Sequence, residues 1–207
     1  MLSDKKFFVV EDHTLTNLGI RQLLESKKGF SCVGFAFGKA ETVEKLSALS
    51  DSGSLPDILI LDLFLGKESG LELLREIRAK FPSIKVLVYS MYAKPGILSL
   101  ALEAGAHGFV EKSAPETILL CAINDILSGQ TFVQQNLVSP LITYKTMYDG
   151  LTKQEQKIFK KLLERKTKAQ IAEELNIVTR SVDNYLSRIF EKTGTKGHEE
   201  LIEKFGE

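Results

Sequence analysis

Glu11, Asp12, Asp62, Ser90 and Lys112 stand at or just past the ends of short apolar runs. Glu11-Asp12 follow Phe7-Phe8-Val9-Val10, and Asp62 follows Ile58-Leu59-Ile60-Leu61. Ser90 follows Ile84–Tyr89, and Glu111-Lys112 follow Ala106–Val110. Each alone has an ordinary reading, Asp62 as a turn residue and Glu11-Asp12 as an acidic pair opening a helix. Together they offer oxygen ligands for a hard divalent cation, one hydroxyl donor and one ammonium. That set suits phosphoryl chemistry. A carboxylate oxygen of Asp62 attacks phosphorus to give an acyl phosphate, and positive charge steadies the equatorial oxygens. Mg²⁺ held by Asp12, Asp62, the backbone carbonyl of Phe64 and, through water, Glu11 supplies part of that charge. Lys112 supplies the rest, and Ser90 donates a hydrogen bond to a phosphoryl oxygen.

For these side chains to meet, the apolar runs must be neighbouring strands of one sheet. Continuous hydrophobics ending abruptly in a polar residue mark buried parallel strands. A strand is also expected over Phe30–Ala36. Amphipathic helices are expected over Thr14–Ser26, Lys39–Leu49, Leu71–Lys80, Pro95–Ala104 and Pro115–Leu127. Five strands alternating with five helices predict an α/β fold, a flavodoxin-like, doubly wound sheet of five parallel strands. In such a sheet ligands bind at the carboxyl ends of the strands, where the polar residues fall.

The chain has 207 residues, room for one or two domains. Its formal net charge is zero, so nucleic-acid binding must come from a local patch rather than a polycationic surface. Cys32 and Cys121 lack metal-ligand spacing and read as reduced residues of a cytoplasmic protein. No run is long enough to span a bilayer, so no membrane partner is expected.

Beyond Ser128 the texture changes. Residues 129–149 read as a linker with one short helix over Asn136–Thr143. Order resumes at Leu151-Thr152, where Thr152 and Glu155 form a capping box. Helices follow from Thr167 and from about Thr179, separated by the tight Asn176–Thr179 turn, with a last helix over Glu199–Phe205. Two helices across such a turn make a helix-turn-helix, whose second helix enters the major groove of DNA. The second domain is therefore a small all-α unit over residues 150–207.

With these motifs in hand, residues 1–128 resemble the receiver domain of bacterial two-component response regulators. The matching positions are Glu11-Asp12, Asp62, Ser90, Phe109 and Lys112, with Ser69-Gly70 opening a helix. The resemblance implies phosphoryl transfer from a sensor histidine kinase to Asp62, Mg²⁺ dependence, and a switch in which Ser90 and Phe109 repack, with no enzymatic turnover beyond slow self-dephosphorylation. Phe64 departs from a frequent Asn, Gly66 from a common proline, and Met91 from a small residue. Met91 is expected to crowd the phosphoryl site, the Phe64 side chain to give no help in placing a water, and the two together to slow hydrolysis by restricting in-line water.

Residues 150–207 resemble the LuxR-type DNA-binding domain of the NarL/FixJ group. The carriers are Leu151-Thr152 with Glu155, Ile171–Leu175, Ser181-Val182 with Asn184, Ser187–Ile189 and Lys192–Gly194. The resemblance implies a transcription regulator that binds double-stranded promoter DNA, as a homodimer when phosphorylated. Candidate contacts are Lys166, Lys168, Arg180, Asn184, Arg188, Lys192 and Lys196. Asp183, Tyr185 and Leu186 depart from the basic pattern expected on the DNA face, and Arg165 from a usual glycine. Those departures motivate a different function, a signalling adaptor whose helical domain binds protein. A haloacid-dehalogenase-like enzyme also uses a strand-end Asp, but Phe64 occupies the position of its second Asp.

Overall fold

The computed structural model of the protein describes residues 4–206. They form two compact units. One runs to Met91 and resumes over Ala101–Gln134; Tyr92–Leu100 group with Gln135 and beyond in the other. The chain begins with β1 (Lys5–Val10), α1 (Thr14–Glu25), β2 (Phe30–Ala36), α2 (Lys39–Asp51) and β3 (Ile58–Leu61). Two-residue strands β4 (Phe64–Leu65) and β5 (Glu68–Ser69) precede α3 (Gly70–Lys80). Then come β6 (Lys85–Ser90), α4 (Pro95–Glu103), β7 (Gly108–Glu111), α5 (Glu116–Leu127) and β8 (Phe132–Val133).

The sheet order is β2-β1-β3-β6-β7-β8, with every pairing parallel. The order turns back at β1, which puts the topological switch point at the carboxyl ends of β1 and β3. All four residues of β3 are buried, as a strand covered on both faces requires. Phe7, Val9, Ile58, Ile60, Leu87 and Val110 face Ile20 and Leu24 of α1 and Leu119, Ile123 and Ile126 of α5 in one core.

Five of these strands are the expected ones. The sixth, β8, lies where the sequence reads as linker; two residues are too few to display a period, and only their pairing with β7 reveals the strand.

The helical unit comprises α6 (Gln135–Asp149), α7 (Lys153–Leu163), α8 (Lys168–Glu174), α9 (Thr179–Thr193) and α10 (His198–Phe205). The short helix expected over Asn136–Thr143 is instead all of α6, with Pro140 inside it. Leu137, Leu141 and Tyr144 are its buried face. The Tyr144 ring centroid lies 6.1 Å from Phe159 and 5.8 Å from Phe205, which ties α6 to α7 and α10. The Thr152–Glu155 capping box forms as expected, and Thr167 with Gln170 builds a second one at α8. Gly194, at φ 65°, ends α9 in the left-handed conformation that glycine adopts without strain. Among the described residues, no helix is long and apolar enough to cross a membrane.

Candidate functional site

Strand register brings the polar residues together. Val10 pairs with Ala36 and Leu61, Leu61 with Val88, and Ser90 with Glu111. The carboxyl ends of β1, β3, β6 and β7 therefore form one rim, and the next residues emerge side by side. Asp62 N donates to Val10 O at 2.9 Å, and Lys112 N donates to Ser90 O at 2.9 Å, so the rim backbone is fixed by hydrogen bonds across adjacent strands.

At the centre, the Lys112 ammonium bridges two carboxylates. Nζ is 2.6 Å from Asp62 Oδ2 and 2.5 Å from Glu11 Oε2. Asp62 is only 3% exposed, and Glu11 is as fully buried. Burial pushes the Lys112 ammonium toward deprotonation, but its hydrogen bonds and charge contacts with Asp62 and Glu11 outweigh that and raise its pKa above the usual lysine value. The other Asp62 oxygen, Oδ1, accepts from Phe64 N at 3.2 Å. Beneath the pocket, Gly70 opens α3 so close to β3 that a Cβ there would lie 2.5 Å from Asp62 O and 2.5 Å from Leu63 Cα. Only glycine permits that approach.

Beside the bridge, Glu11 and Asp12 meet His13, a residue that sequence reasoning passed over although it directly follows the acidic pair. His13 Nδ1 lies 2.9 Å from Asp12 Oδ1 and 3.2 Å from Glu11 Oε1. One ligand atom from each of the three lies within 4.8 Å of the others. Asp62, expected among them, is outside this trio and is engaged by Lys112. Glu11 Oε2, against the Lys112 ammonium, and Asp12 Oδ1, against the His13 ring, are buried, and each keeps lone pairs to spare. Buried carboxylate oxygens with unspent lone pairs fit a hard divalent cation.

Ser90 is fully buried at the rim. Phe109, paired in register with Val88, shares a sheet face with Ser90 and is itself fully buried. The Phe109 ring, expected to repack with Ser90, is inside in this structure. Met91, expected to crowd the pocket, is 66% exposed. Phe64, on β4, is half-buried.

In the helical unit, Arg180, Asn184 and Arg188 recur every four residues along the exposed side of α9. Arg188 also lies over the Tyr185 ring, 5.9 Å from its centroid. Lys196 is exposed just beyond α9. The other candidate lysines have acidic partners. Lys166 is 3.6 Å from Glu174, Lys168 2.6 Å from Asp183, and Lys192 2.7 Å from Glu155. Glu155 is buried, which favours its neutral form, but Lys192 and the Thr152 donors outweigh burial and lower its pKa. Leu186 is not on the exposed face as expected; at 3% exposed it belongs to the core of the unit. Arg165 takes φ 61°, the left-handed conformation of the glycine it replaces.

Comparison with known proteins agrees with this two-part organisation. Residues 7–124 match the response regulator receiver domain, more than half of the chain, and residues 149–205 match the bacterial regulatory proteins of the luxR family. The transcriptional activator protein ExaE of Pseudomonas putida is 29% identical over 94% of this chain and 92% of its own length. The DNA-binding transcriptional activator DevR/DosR of Mycobacterium tuberculosis is 29% identical over 91% and 88%. Among solved structures, a LuxR-family two-component response regulator from Aurantimonas shares 28% identity, with a TM-score of 0.62 over 70% of this chain and 99% of its own. RcsB of Salmonella enterica serovar Typhimurium, bound to a promoter in the presence of the phosphomimetic BeF3⁻, shares the fold at 23% identity, with a TM-score of 0.72 over 98% of each chain. The chain thus belongs to the response regulator receiver family: it is a two-component, DNA-binding transcriptional response regulator with a LuxR-family carboxy-terminal domain.

Proposed function

We propose that Asp62 is the phosphoacceptor, that Lys112 and Ser90 bind the transferred group, and that the donor is a sensor histidine kinase. In the transfer, an Asp62 carboxylate oxygen forms a bond to phosphorus while the phosphorus–nitrogen bond of a phosphohistidine breaks. The electron pair leaves with the imidazole, which takes up a proton. Glu11, Asp12, Asp62 and the Phe64 carbonyl would hold Mg²⁺, which supplies positive charge to the phosphoryl oxygens when bound. Lys112 passes from its carboxylate partners to a phosphoryl oxygen, and the Ser90 hydroxyl donates to another. Phe109, on the same sheet face as Ser90, repacks in response and carries the state of Asp62 to the surface of β6 and β7. The observation that carries this reading is the single ammonium shared by two buried carboxylates at the switch point of the sheet.

The output is a homodimer on paired DNA half-sites, in the cytoplasm. In this reading Arg180 and Asn184 read guanine and adenine edges, and Arg188 and Lys196 contact phosphates. The DevR/DosR relative is described as DNA-binding, and the RcsB structure holds a promoter, which supports the same partner here. Acetyl phosphate with Mg²⁺, followed by intact-mass measurement, is expected to add one phosphoryl group to the wild type and none to Asp62→Ala. Equal uptake by both proteins overturns the assignment of Asp62.

A further inference from the structure

We propose that Lys168 and Asp183 form a brake on non-specific DNA binding. The proposal rests on the reading above, in which the exposed face of α9 meets DNA. Lys168 opens α8, the helix that crosses the phosphate backbone in a helix-turn-helix. Its ammonium is the kind of group that makes sequence-independent phosphate contacts. Here it is held 2.6 Å from Asp183 Oδ1 on α9, with both side chains about half exposed.

The pair acts in two ways. A phosphate must displace a carboxylate to gain Lys168; an exposed ion pair of this type is worth a factor of about five at most. In addition, Asp183 lies one turn from Arg180 and directly precedes Asn184, so its negative charge sits on the face that approaches the phosphates. Both effects fall on binding that depends on charge alone. Base-edge contacts by Arg180 and Asn184 do not pass through Lys168. The pair therefore lowers the charge-driven affinity that random sequence and a true site share, and leaves base-edge contacts as the larger part of what remains.

The test is titration of a labelled random-sequence duplex with the full chain at several salt concentrations. Asp183→Asn is expected to bind several-fold tighter at low salt and to steepen the slope of log affinity against log salt by about 0.9, the signature of one added phosphate contact. Lys168→Gln in the wild-type background is expected to leave the slope nearly unchanged, and Lys168→Gln combined with Asp183→Asn to return it to the wild-type value. Both residues are exposed, so folding is not at stake. Equal slopes for wild type and Asp183→Asn, with binding intact, overturn the brake alone. So does a wild-type slope that flattens by about 0.9 in Lys168→Gln, since Lys168 would then already touch phosphate. Absence of duplex binding by every protein, phosphorylated or not, overturns the DNA reading and the brake with it.

Discussion

Lys112 Nζ stands 2.6 Å from Asp62 Oδ2 across the rim of the sheet, although the two residues are 50 positions apart. The same nitrogen reaches Glu11, so one positive charge is shared between two buried negative ones. Removing one partner of a buried ion pair costs more than the pair contributes, because the remaining charge has neither water nor counterion. Lys112→Gln is therefore expected to lose about 3–5 kcal/mol of stability in metal-free buffer. Mg²⁺ should recover part of the loss by supplying the missing charge. Urea unfolding with chelator and with Mg²⁺ checks both halves; a variant as stable as wild type in chelator contradicts the account.

Gly70 is a second structural requirement of the pocket. A methyl group there meets Asp62 O and Leu63 Cα at 2.5 Å, and backbone atoms cannot turn aside as a side chain does. Gly70→Ala is expected to destabilise the protein by about 1–3 kcal/mol and to slow phosphoryl uptake, because the strain is relieved by moving Asp62. Thermal melting and acetyl-phosphate labelling measure the two effects, and normal values for both would show that α3 can retreat freely.

His107 gives the sheet a pH dependence. Val86 N donates to His107 Nδ1 at 3.0 Å, so the neutral ring acts as an acceptor beside the strand ladder. Burial, with the charges of Arg78 and Lys85 adding to it, pushes its pKa down to about 4 from an ordinary value near 6.5. Between those values the unfolded chain takes up a proton that the folded protein refuses. Stability attributable to His107 is thus complete above about pH 6.5 and falls as pH drops toward 4. His107→Asn keeps an acceptor and removes the titration, so its urea midpoint should fall less than that of wild type between pH 7.5 and 5. The same fall in both proteins contradicts the assignment.

Arg165 occupies a left-handed backbone position at φ 61°. For a residue with a Cβ this costs roughly 1–3 kcal/mol, more than the 0.4–1 kcal/mol by which glycine loosens the unfolded chain. Arg165→Gly is expected to stabilise the protein by about 1 kcal/mol, measured as a rise in melting temperature. A lower melting temperature would mean that the Arg165 side chain contributes more than its backbone costs.

The rim was legible because each strand is an apolar run that breaks off at a polar residue, as Leu61-Asp62 does. Sequence chemistry also located the Thr152–Glu155 capping box, since both partners lie within one helical turn. What escaped depends on partners distant in the chain. β8 is a strand only because β7 pairs with it, and α6 extends past its proline because Tyr144 packs against Phe159 and Phe205. Leu186 reads as a substituted DNA contact until packing puts it in the core, and the Lys168–Asp183 pair joins residues 15 positions apart on different helices. His13 was within reach, since it directly follows Glu11-Asp12.

The most direct measurement is the affinity of the full chain for duplex DNA before and after treatment with acetyl phosphate and Mg²⁺, in wild type and in Asp62→Asn. A coupling of ordinary size predicts that treatment tightens wild-type binding by about tenfold and leaves Asp62→Asn unchanged. Wild-type affinity that does not respond, or a variant that tightens as much as wild type, contradicts the claim that the phosphoryl state of Asp62 controls DNA binding.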